Sequence, residues 1–501
     1  MASIGEVLTH AWKIHQSGNI DAAMKLYRGV LEQIPDSAEA WVYLGIGQFD
    51  QRDFVGSVAS YRRALKIRDR FPIAWNNLGN SLRMLGEIDE AERCFEKALS
   101  QQPDYLSALK NRGTLWVWNG DVERGLKWYQ RGLQIDPNNA ELHRNLGVIS
   151  LLMGDYARGF DEFRWRWRMP GVARPPVSAW WQSAGIHVPV WSGQPLENRK
   201  IIIYPEQGLG DAIHFIRVAS ALHQSGASVI VVCQASMLPL FASVPGIDEL
   251  VADDQSGGVV HPSLMQADYQ GSFIEILDGL FQRDGQIYFG EELFESPGSA
   301  TPHGKGYLRV DDAAVERWSA WMDRTLASSE TGGAEVGGLV VSGSPTRLPR
   351  IGINWQGNRE HHADVYRSVR LEVFRPLIES DRFQLINMQF GHGIEQLESA
   401  DYRDKVLRLP ATLDQSVGRF VDTAAVLRGL DALVTTDTAI AHLAGALGVR
   451  THLLLGRVPD WRWLMNGTST RWYPNTRITR QSEFGQWDEP VSEIIEQVIR
   501  F

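Results

Sequence analysis

Asp211 follows a glycine-rich turn, Gly208-Leu209-Gly210, and His214 lies three residues beyond it. If a helix opens at that turn, the carboxylate and the imidazole share one face, since positions three apart are neighbours on a helix. The glycines let a substrate come close, and either side chain could then take a proton from it; an imidazole with an unperturbed pKa near 6.5 suits such work. Asp211 is equally a natural N-cap, and that reading stays open. Asp437, Thr438 and His442 form a second set. An apolar run at Ala432–Thr436 delivers Asp437 and Thr438 to the start of a further helix, whose free N–H groups and partial positive charge suit an anion such as a diphosphate. Thr438 adds a hydroxyl donor, and His442, one turn on, shares its face. The alternatives are an N-capping Asp437, a first-turn Thr438 and a packed histidine.

The elements that must hold these groups have an α/β rhythm. Residues 201–204 (Ile-Ile-Ile-Tyr) read as a short buried strand, and Ile213, Ile216, Ala219 and Leu222 mark the helix after the turn. A strand follows at Val229–Cys233, and this order predicts a parallel sheet. The rhythm starts again at Ile351–Asn354. It continues through Gln384–Met388 and Ala432–Thr436, a helix from Thr438 to Leu447 and a strand at Thr451–Leu455. Residues 327–346 are small and polar, as in a mobile linker. Two α/β lobes joined in this way would face a cleft, a usual place for a small ligand.

Several ligand classes are excluded by pattern. Gly208-x-Gly210 is followed by Ile213 where a dinucleotide fingerprint needs glycine, and the second strand ends at Cys233-Gln234 with no acid for a ribose. No Walker lysine, no Asp-x-Asp pair and no Cys/His cluster with zinc spacing occurs. His361-His362 reads as a solvent-exposed pair. The net charge of −10 and pI near 5.8 argue against a nucleic-acid surface. With no N-terminal apolar leader, no membrane-spanning run and only Cys94 and Cys233, both read as reduced core residues, a cytoplasmic location is expected.

The first third of the 501 residues repeats every 34. Ala11, Gly45, Gly79, Gly113 and Gly147 fall on one lattice; Tyr27, Tyr61, Phe95, Tyr129 and Phe163 fall on a second; Pro35, Pro103 and Pro137 on a third. Trp41-x2-Leu44-Gly45 and Trp75-x2-Leu78-Gly79 carry the opening signature of a tetratricopeptide repeat (TPR). Each unit would be a helix pair with the aromatic filling the gap beside the small residue. The fifth degenerates into Phe163-Arg164-Trp165-Arg166-Trp167-Arg168. Asn77, Asn111 and Asn145 recur at one repeat position, where a ladder of amides could bind an extended peptide backbone or merely bridge neighbouring helices. Pro175, Pro176, Trp180, Trp181, Pro189 and Trp191 then mark an ordered linker.

Trp191-x-Gly193-x2-Leu196 with Glu206-Gln207-Gly208-Leu209-Gly210-Asp211 resembles the first lobe of family 9, heptosyltransferase-like glycosyltransferases, in the version fused to tetratricopeptide repeats. Asn354-Trp355-Gln356-Gly357-Asn358 with Arg367-Ser368 resembles the first loop of their second lobe. Thr436-Asp437-Thr438-Ala439-Ile440-Ala441-His442 is similar to their donor signature, and Val458-Pro459-Asp460-Trp461-Arg462-Trp463-Leu464 to the fused subgroup. The resemblance covers about residues 190 to 495.

It implies an α-helical TPR superhelix followed by an α/β GT-B fold, two Rossmann-like lobes facing a cleft. The expected boundaries are 1–170 for about five repeats, 171–199 for the Trp/Pro linker, 200–326 and 349–501 for the lobes, and 327–348 for the flexible linker. The implied donor is a nucleotide-sugar, with no metal and no other cofactor. Thr436, Asp437, Thr438, Ala439 and His442 would bind it. Arg367 would neutralise the departing nucleotide in place of a metal, unless it is a surface ion pair, and Asn358 and Gln389 could line the same loops. Asp211 leads as base, with His214 second and Glu206 third, in an inverting transfer. The repeat domain also resembles that of O-GlcNAc transferases. The expected acceptor is therefore a Ser or Thr hydroxyl of a polypeptide such as flagellin, held by Asn77, Asn111 and Asn145. Two alternatives stay open: a lipid-linked or carbohydrate acceptor with the repeats used for assembly, or a repeat scaffold with an inactive transferase half.

Overall fold

The computed structural model describes residues 3–172, 188–253, 261–295, 303–330, 347–361 and 364–499. Pro175, Pro176, Trp180, Trp181, His362 and residues 331–346 of the expected linker lie outside them. The chain forms two compact units, residues 1–150 with 161–169 and residues 151–160 with 170–501.

Ten helices follow one another from Ile4: α1 (Ile4–Gln16), α2 (Ile20–Gln33), α3 (Ala38–Asp50), α4 (Phe54–Ile67), α5 (Pro72–Met84), α6 (Ile88–Gln101), α7 (Leu106–Trp118), α8 (Val122–Ile135), α9 (Ala140–Leu152) and α10 (Tyr156–Phe163). The two lattices explain the pairing. A β-carbon at Gly45 would stand 2.6 Å from the Tyr61 ring, one at Gly79 2.8 Å from Phe95, and one at Gly113 2.5 Å from Tyr129. Each glycine thus admits a fully buried ring of the helix that follows it. Side chains of Asn19, Ser37, Asp53 and Asp121 accept the backbone N–H three residues on and so start α2, α3, α4 and α8. The degenerate fifth repeat ends in a 3-10 turn, Arg164–Arg168, where Trp165 stacks on His143 with ring centroids 3.9 Å apart.

The second unit holds two parallel sheets. The first contains β1 (Lys200–Tyr204), β2 (Ser228–Cys233), β3 (Glu249–Ala252) and β4 (Tyr269–Ser272) in the order β3-β2-β1-β4. The second contains β5 (Arg350–Asn354), β6 (Gln384–Asn387), β7 (Val406–Leu407), β8 (Ala432–Thr436), β9 (Thr451–Leu455) and β10 (Thr476–Arg480) in the order β10-β9-β8-β5-β6-β7. Counted from its own first strand, the second sheet runs 3-2-1-4-5-6, the doubly wound order, and the first runs 3-2-1-4. The strand direction of winding therefore switches between β1 and β4 in one sheet, and between β5 and β8 in the other.

One expected helix is broken. In place of a continuous run after the glycine turn there are α11 (Leu209–Phe215) and α12 (Val218–Gln224). Arg217 causes the break: its side chain is wholly buried, and its Nε donates to the His214 carbonyl at 2.8 Å, the group that an unbroken helix would give to the Val218 N–H. Farther on come α13 (Phe273–Asp284), α14 (Asp312–Glu330), α15 (Val421–Arg428), α16 (Ala439–Ala446) and α17 (Asp488–Ile499). α14 runs to Glu330, into the stretch read as a linker. It packs on α15, with the Trp318 indole donating to Asp422 at 2.7 Å. Residues 303–308 lie along α16 and the turn after it, where the Leu308 N–H donates to the Ala446 carbonyl at 3.1 Å. Among the described residues no helix is long and apolar enough to cross a membrane.

Candidate functional site

The candidate residues of the second unit gather at the carboxyl ends of β1, β5, β6, β8 and β9, the region where open α/β sheets bind ligands. α16 starts at Thr438 without a side-chain cap. The Thr438 hydroxyl instead crosses the switch point and donates to Asn354 Oδ1 at 2.9 Å, an oxygen that also receives the Thr435 hydroxyl at 3.1 Å. Asn354 passes the bonding on, its Nδ2 donating to Gln389 Oε1 at 2.9 Å. That same oxygen accepts the N–H groups of Trp355 and Gln356 at 3.1 and 2.9 Å, while Gln389 Nε2 donates to the carbonyls of Gln356 and His392 at 2.9 and 2.6 Å. Gln389 is 2% exposed and its amide is used inside the protein. It positions the loop after β5. Asn358 stands apart, exposed, with its oxygen taking the Glu360 N–H at 3.0 Å.

Arg367 lies beneath the same loop. A β-carbon at Gly357 would be 2.8 Å from its Nη2, and its Nη1 donates to the Asp437 carbonyl at 3.1 Å. Its Nε is buried and makes no hydrogen bond, with Asp364 Oδ1 3.8 Å away as an ion pair, and Thr436 Oγ1 and Arg462 Nε are likewise buried without a hydrogen-bond partner. Arg462 comes from the turn after β9, where Asp460 accepts its backbone N–H at 3.1 Å. Arg462 as a residue is 7% exposed, and its guanidinium reaches across to the first sheet's α11, where Nη2 donates to Asp211 Oδ1 at 2.6 Å. Its Nη1 is 3.1 Å from Asp460 Oδ1 as an ion pair, without hydrogen-bond geometry.

The electrostatics follow from this crowding. Burial opposes the Arg462 charge, but Asp211, Asp460 and Asp437 around it outweigh burial and hold its pKa above the ordinary value. Burial, and then Asp460, push the Asp437 carboxyl up to about 6, against the pull of Arg367 and Arg462. Burial also raises Asp211 against Arg462, yet the 2.6 Å contact is that of a charge-assisted bond, so we read Asp211 as a carboxylate paired with a guanidinium.

Below them the Tyr473 hydroxyl lies between two imidazoles, 2.7 Å from His214 Nδ1 and 3.1 Å from His442 Nδ1. Burial pushes both well below the usual histidine range, so both are neutral near pH 7. A hydroxyl has one hydrogen, so at least one ring carries its proton on Nδ1. His214 Nε2 has no partner, and a bare lone pair costs less there than an N–H, which assigns Nδ1–H to His214. His214 is 0% exposed, whereas the Asp211 side chain is 18% exposed. His442 Nε2 stands 3.7 Å from Asp437 Oδ1, and the ring stacks on Trp463. Glu206 accepts the Ser272 hydroxyl at 2.9 Å at the β1/β4 switch point. Ala439 lies against Gly210, whose β-carbon would be 3.3 Å from its Cα.

The structure thus brings Asp211, His214, Arg367, Asp437, Thr438 and His442 into one region. Asn354, Arg462 and Tyr473 complete it, and sequence reasoning gave none of them a role. The signal for Arg462 was a lone cation among Trp461, Trp463 and Leu464; nothing local marks Tyr473.

Asn77, Asn111 and Asn145 belong to the other unit, at one position of α5, α7 and α9, and each is half-buried. Asn76 joins two of them: its Nδ2 donates to Asn77 Oδ1 at 3.1 Å, and its Oδ1 accepts from Asn111 Nδ2 at 3.0 Å. Asn145 accepts from Arg144 at 3.0 Å.

Comparison with known proteins agrees with the helix pairs. Tetratricopeptide-repeat family models match residues 16–72 and 72–105, and a TPR-repeat model matches residues 119–154. Protein FlbA of Caulobacter vibrioides is 22% identical over 492 residues, which are 94% of this chain and 69% of that protein. The CTR9 homolog of Arabidopsis thaliana is 30% identical over 99 residues, 20% of this chain and 9% of that one. Among solved structures, Pseudomonas aeruginosa PilF is 18% identical over 33% of this chain and 76% of its own, with a TM-score of 0.31. The first unit is therefore a tetratricopeptide-repeat array, and the chain is similar to FlbA over most of its length.

Proposed function

We propose that the second unit is a glycosyltransferase that moves a sugar from a nucleotide-sugar to a Ser or Thr hydroxyl of a polypeptide engaged by the repeats. One observation carries the reading. Two arginines, 367 and 462, keep buried N–H groups that make no hydrogen bond, with only the ion-pair contacts of Asp364 and Asp460 near them, beside the uncapped start of α16, at the β5/β8 switch point. Buried donors left unmade are costly and rare, so such a cluster favours an anionic ligand, and a diphosphate is the anion that a helix start commonly receives.

In the transfer the acceptor hydroxyl gives its proton to the Asp211 carboxylate while its oxygen attacks the anomeric carbon. The bond from that carbon to the diphosphate oxygen breaks, and its electron pair leaves with the nucleotide. Arg367, Arg462 and the N–H groups of α16 stabilise the charge that develops there. A single displacement inverts the anomeric centre. Asp211 fits the base better than His214, because the imidazole is enclosed and bonded to Tyr473.

The polypeptide acceptor, flagellin being one candidate, rests on the repeats and their asparagines. The Asn77–Asn76–Asn111 bonds favour a second reading, in which the asparagines tie helices together, the repeats serve assembly and the acceptor is a lipid-linked or free carbohydrate. Thermal unfolding with UDP, GDP, ADP and CMP tests the donor site: a ligand at 100 times its Kd should stabilise by roughly 2.7 kcal/mol. Intact-mass measurement of acceptor proteins, incubated with the full chain and a panel of sugar nucleotides, tests transfer. No nucleotide response and no added mass would sink the proposal.

A further inference from the structure

Arg462 is the only described side chain that joins the candidate base to the candidate diphosphate seat by a direct ion pair. It leaves the second sheet at the turn after β9, passes Asp437 at the start of α16, and ends 2.6 Å from Asp211 on α11. Phe215 and Trp461 flank its guanidinium, whose carbon lies 5.3 and 5.8 Å from their ring centroids, and this walls it from water. Three carboxylates, of Asp211, Asp437 and Asp460, compete for one cation that makes a single well-formed side-chain hydrogen bond, to Asp211. Its Nε and Nη1 hydrogens make no hydrogen bond, although Asp460 Oδ1 lies 3.1 Å from Nη1.

A guanidinium bonded to Oδ1 occupies one oxygen of the Asp211 carboxylate, and its charge makes the whole group a weaker base toward an acceptor hydroxyl. The unused N–H groups are the means of removing it. A diphosphate seated at α16 presents several anionic oxygens in the fork geometry that guanidinium prefers, and a second cation, Arg367, already stands there. We propose that Arg462 is a donor-coupled latch on Asp211: without an anion it holds the carboxylate, and a bound diphosphate draws it away and frees the carboxylate to accept a proton. Donor binding then precedes acceptor activation. Arg462 acts as a positioning residue on the base as well as a ligand of the leaving group. The proposal rests on the reading of Asp211 as base and of α16 as the diphosphate seat.

Calorimetric binding of inorganic pyrophosphate to the full chain tests it through a double-mutant cycle. Asp211→Asn removes the competitor for the guanidinium, so pyrophosphate should bind about tenfold more tightly. Arg462→Gln should weaken binding by about tenfold or more, since a hydrogen bond to a charged group is lost. In the Arg462→Gln background, Asp211→Asn should change nothing, because there is no latch left to release. Equal tightening in both backgrounds would mean plain charge repulsion and would overturn the latch while leaving the transferase reading intact. Absence of pyrophosphate binding in every variant would overturn both. Carbodiimide labelling of wild-type Asp211, read by peptide mass, is independent of any variant's folding. Labelling should rise severalfold with pyrophosphate, and unchanged labelling overturns the latch.

Discussion

Gly306 lies so close to the carbonyl oxygen of Ala446 that no β-carbon fits between them. The Leu308 N–H donates to that same carbonyl at 3.1 Å, and the Gly304 N–H to Gly448 O at 3.1 Å, so backbone meets backbone where the first sheet's chain docks on the far end of α16. The helix that carries the candidate donor site is thereby anchored at its other end.

Gly306→Ala should therefore destabilise the second unit. Overpacking against side chains costs about 1–3 kcal/mol, and a main-chain neighbour cannot rotate away, so the upper end is expected. Thermal unfolding measures it; an unaltered Tm would show that the contact yields easily.

Arg217 gives a second structural prediction. Besides the His214 carbonyl, its Nη1 donates to Phe289 O at 2.8 Å and Trp472 O at 2.7 Å, and its Nη2 to the Tyr307 hydroxyl at 3.1 Å. Arg217→Met would leave the Phe289 and Trp472 carbonyls without donors in the interior, and the His214 carbonyl with only the Tyr307 hydroxyl at 3.4 Å. At about 1–3 kcal/mol for each orphaned group, a loss of roughly 3 kcal/mol or more is expected in denaturant unfolding.

Asp437 predicts a pH dependence. Its folded pKa of about 6 lies above its ordinary 3.8, so the folded state binds the extra proton. Its contribution to stability is full below 3.8 and is lost as pH rises through about 6. The charged groups facing it are Asp460, Arg367 and Arg462, with His442 neutral at 3.7 Å. Asp437→Asn should thus be more stable than wild type at pH 7.5, and the difference should shrink toward pH 4. A difference that is constant between those limits would contradict the assignment.

The strands legible in the sequence were those inside the sheets. β1, β2, β5, β6, β8 and β9 are covered on both faces, and runs such as Ile201–Ile203 or Leu453–Leu455 announce this by being apolar throughout. The four not foreseen, β3, β4, β7 and β10, are the edges. Tyr269-Gln270-Gly271-Ser272 and Thr476-Arg477-Ile478-Thr479-Arg480 mix polar and apolar residues, each with one full ladder and only an isolated bridge on its outer side, to Val190 and to Ser469. The site divides in the same way. Asp211, Arg367 and Asp437 sit on local patterns of turn, strand end and helix start. Tyr473 reaches His214 across 259 positions of sequence, a contact that no local pattern encodes.

For catalysis, Asp211→Asn should lower turnover by about 10²–10⁴ without weakening donor binding. His214→Gln should act on stability, since its ring is enclosed. If the Asp211 variant keeps normal turnover while the His214 variant is inactive, the roles are reversed.

For the repeats, replacing Asn77, Asn111 and Asn145 together by Ala should raise the KM of a polypeptide acceptor, at ~0.5–1.5 kcal/mol for each lost hydrogen bond. Donor hydrolysis should be spared. Because Asn76 and Asn111 are bonded, circular dichroism and Tm must accompany the kinetics. A folded triple variant with an unchanged KM assigns the asparagines to structure alone.

The 3-2-1-4 order of the first sheet is the opening of the 3-2-1-4-5-6 order of the second. The molecule therefore uses one wiring diagram twice, and the segments after β1 and β5 are the same segment of that diagram. One copy ends in a carboxylate at Asp211, the other leads through Asn354 to an arginine at Arg367. Such a division lets either copy change its side chains without rewiring the other.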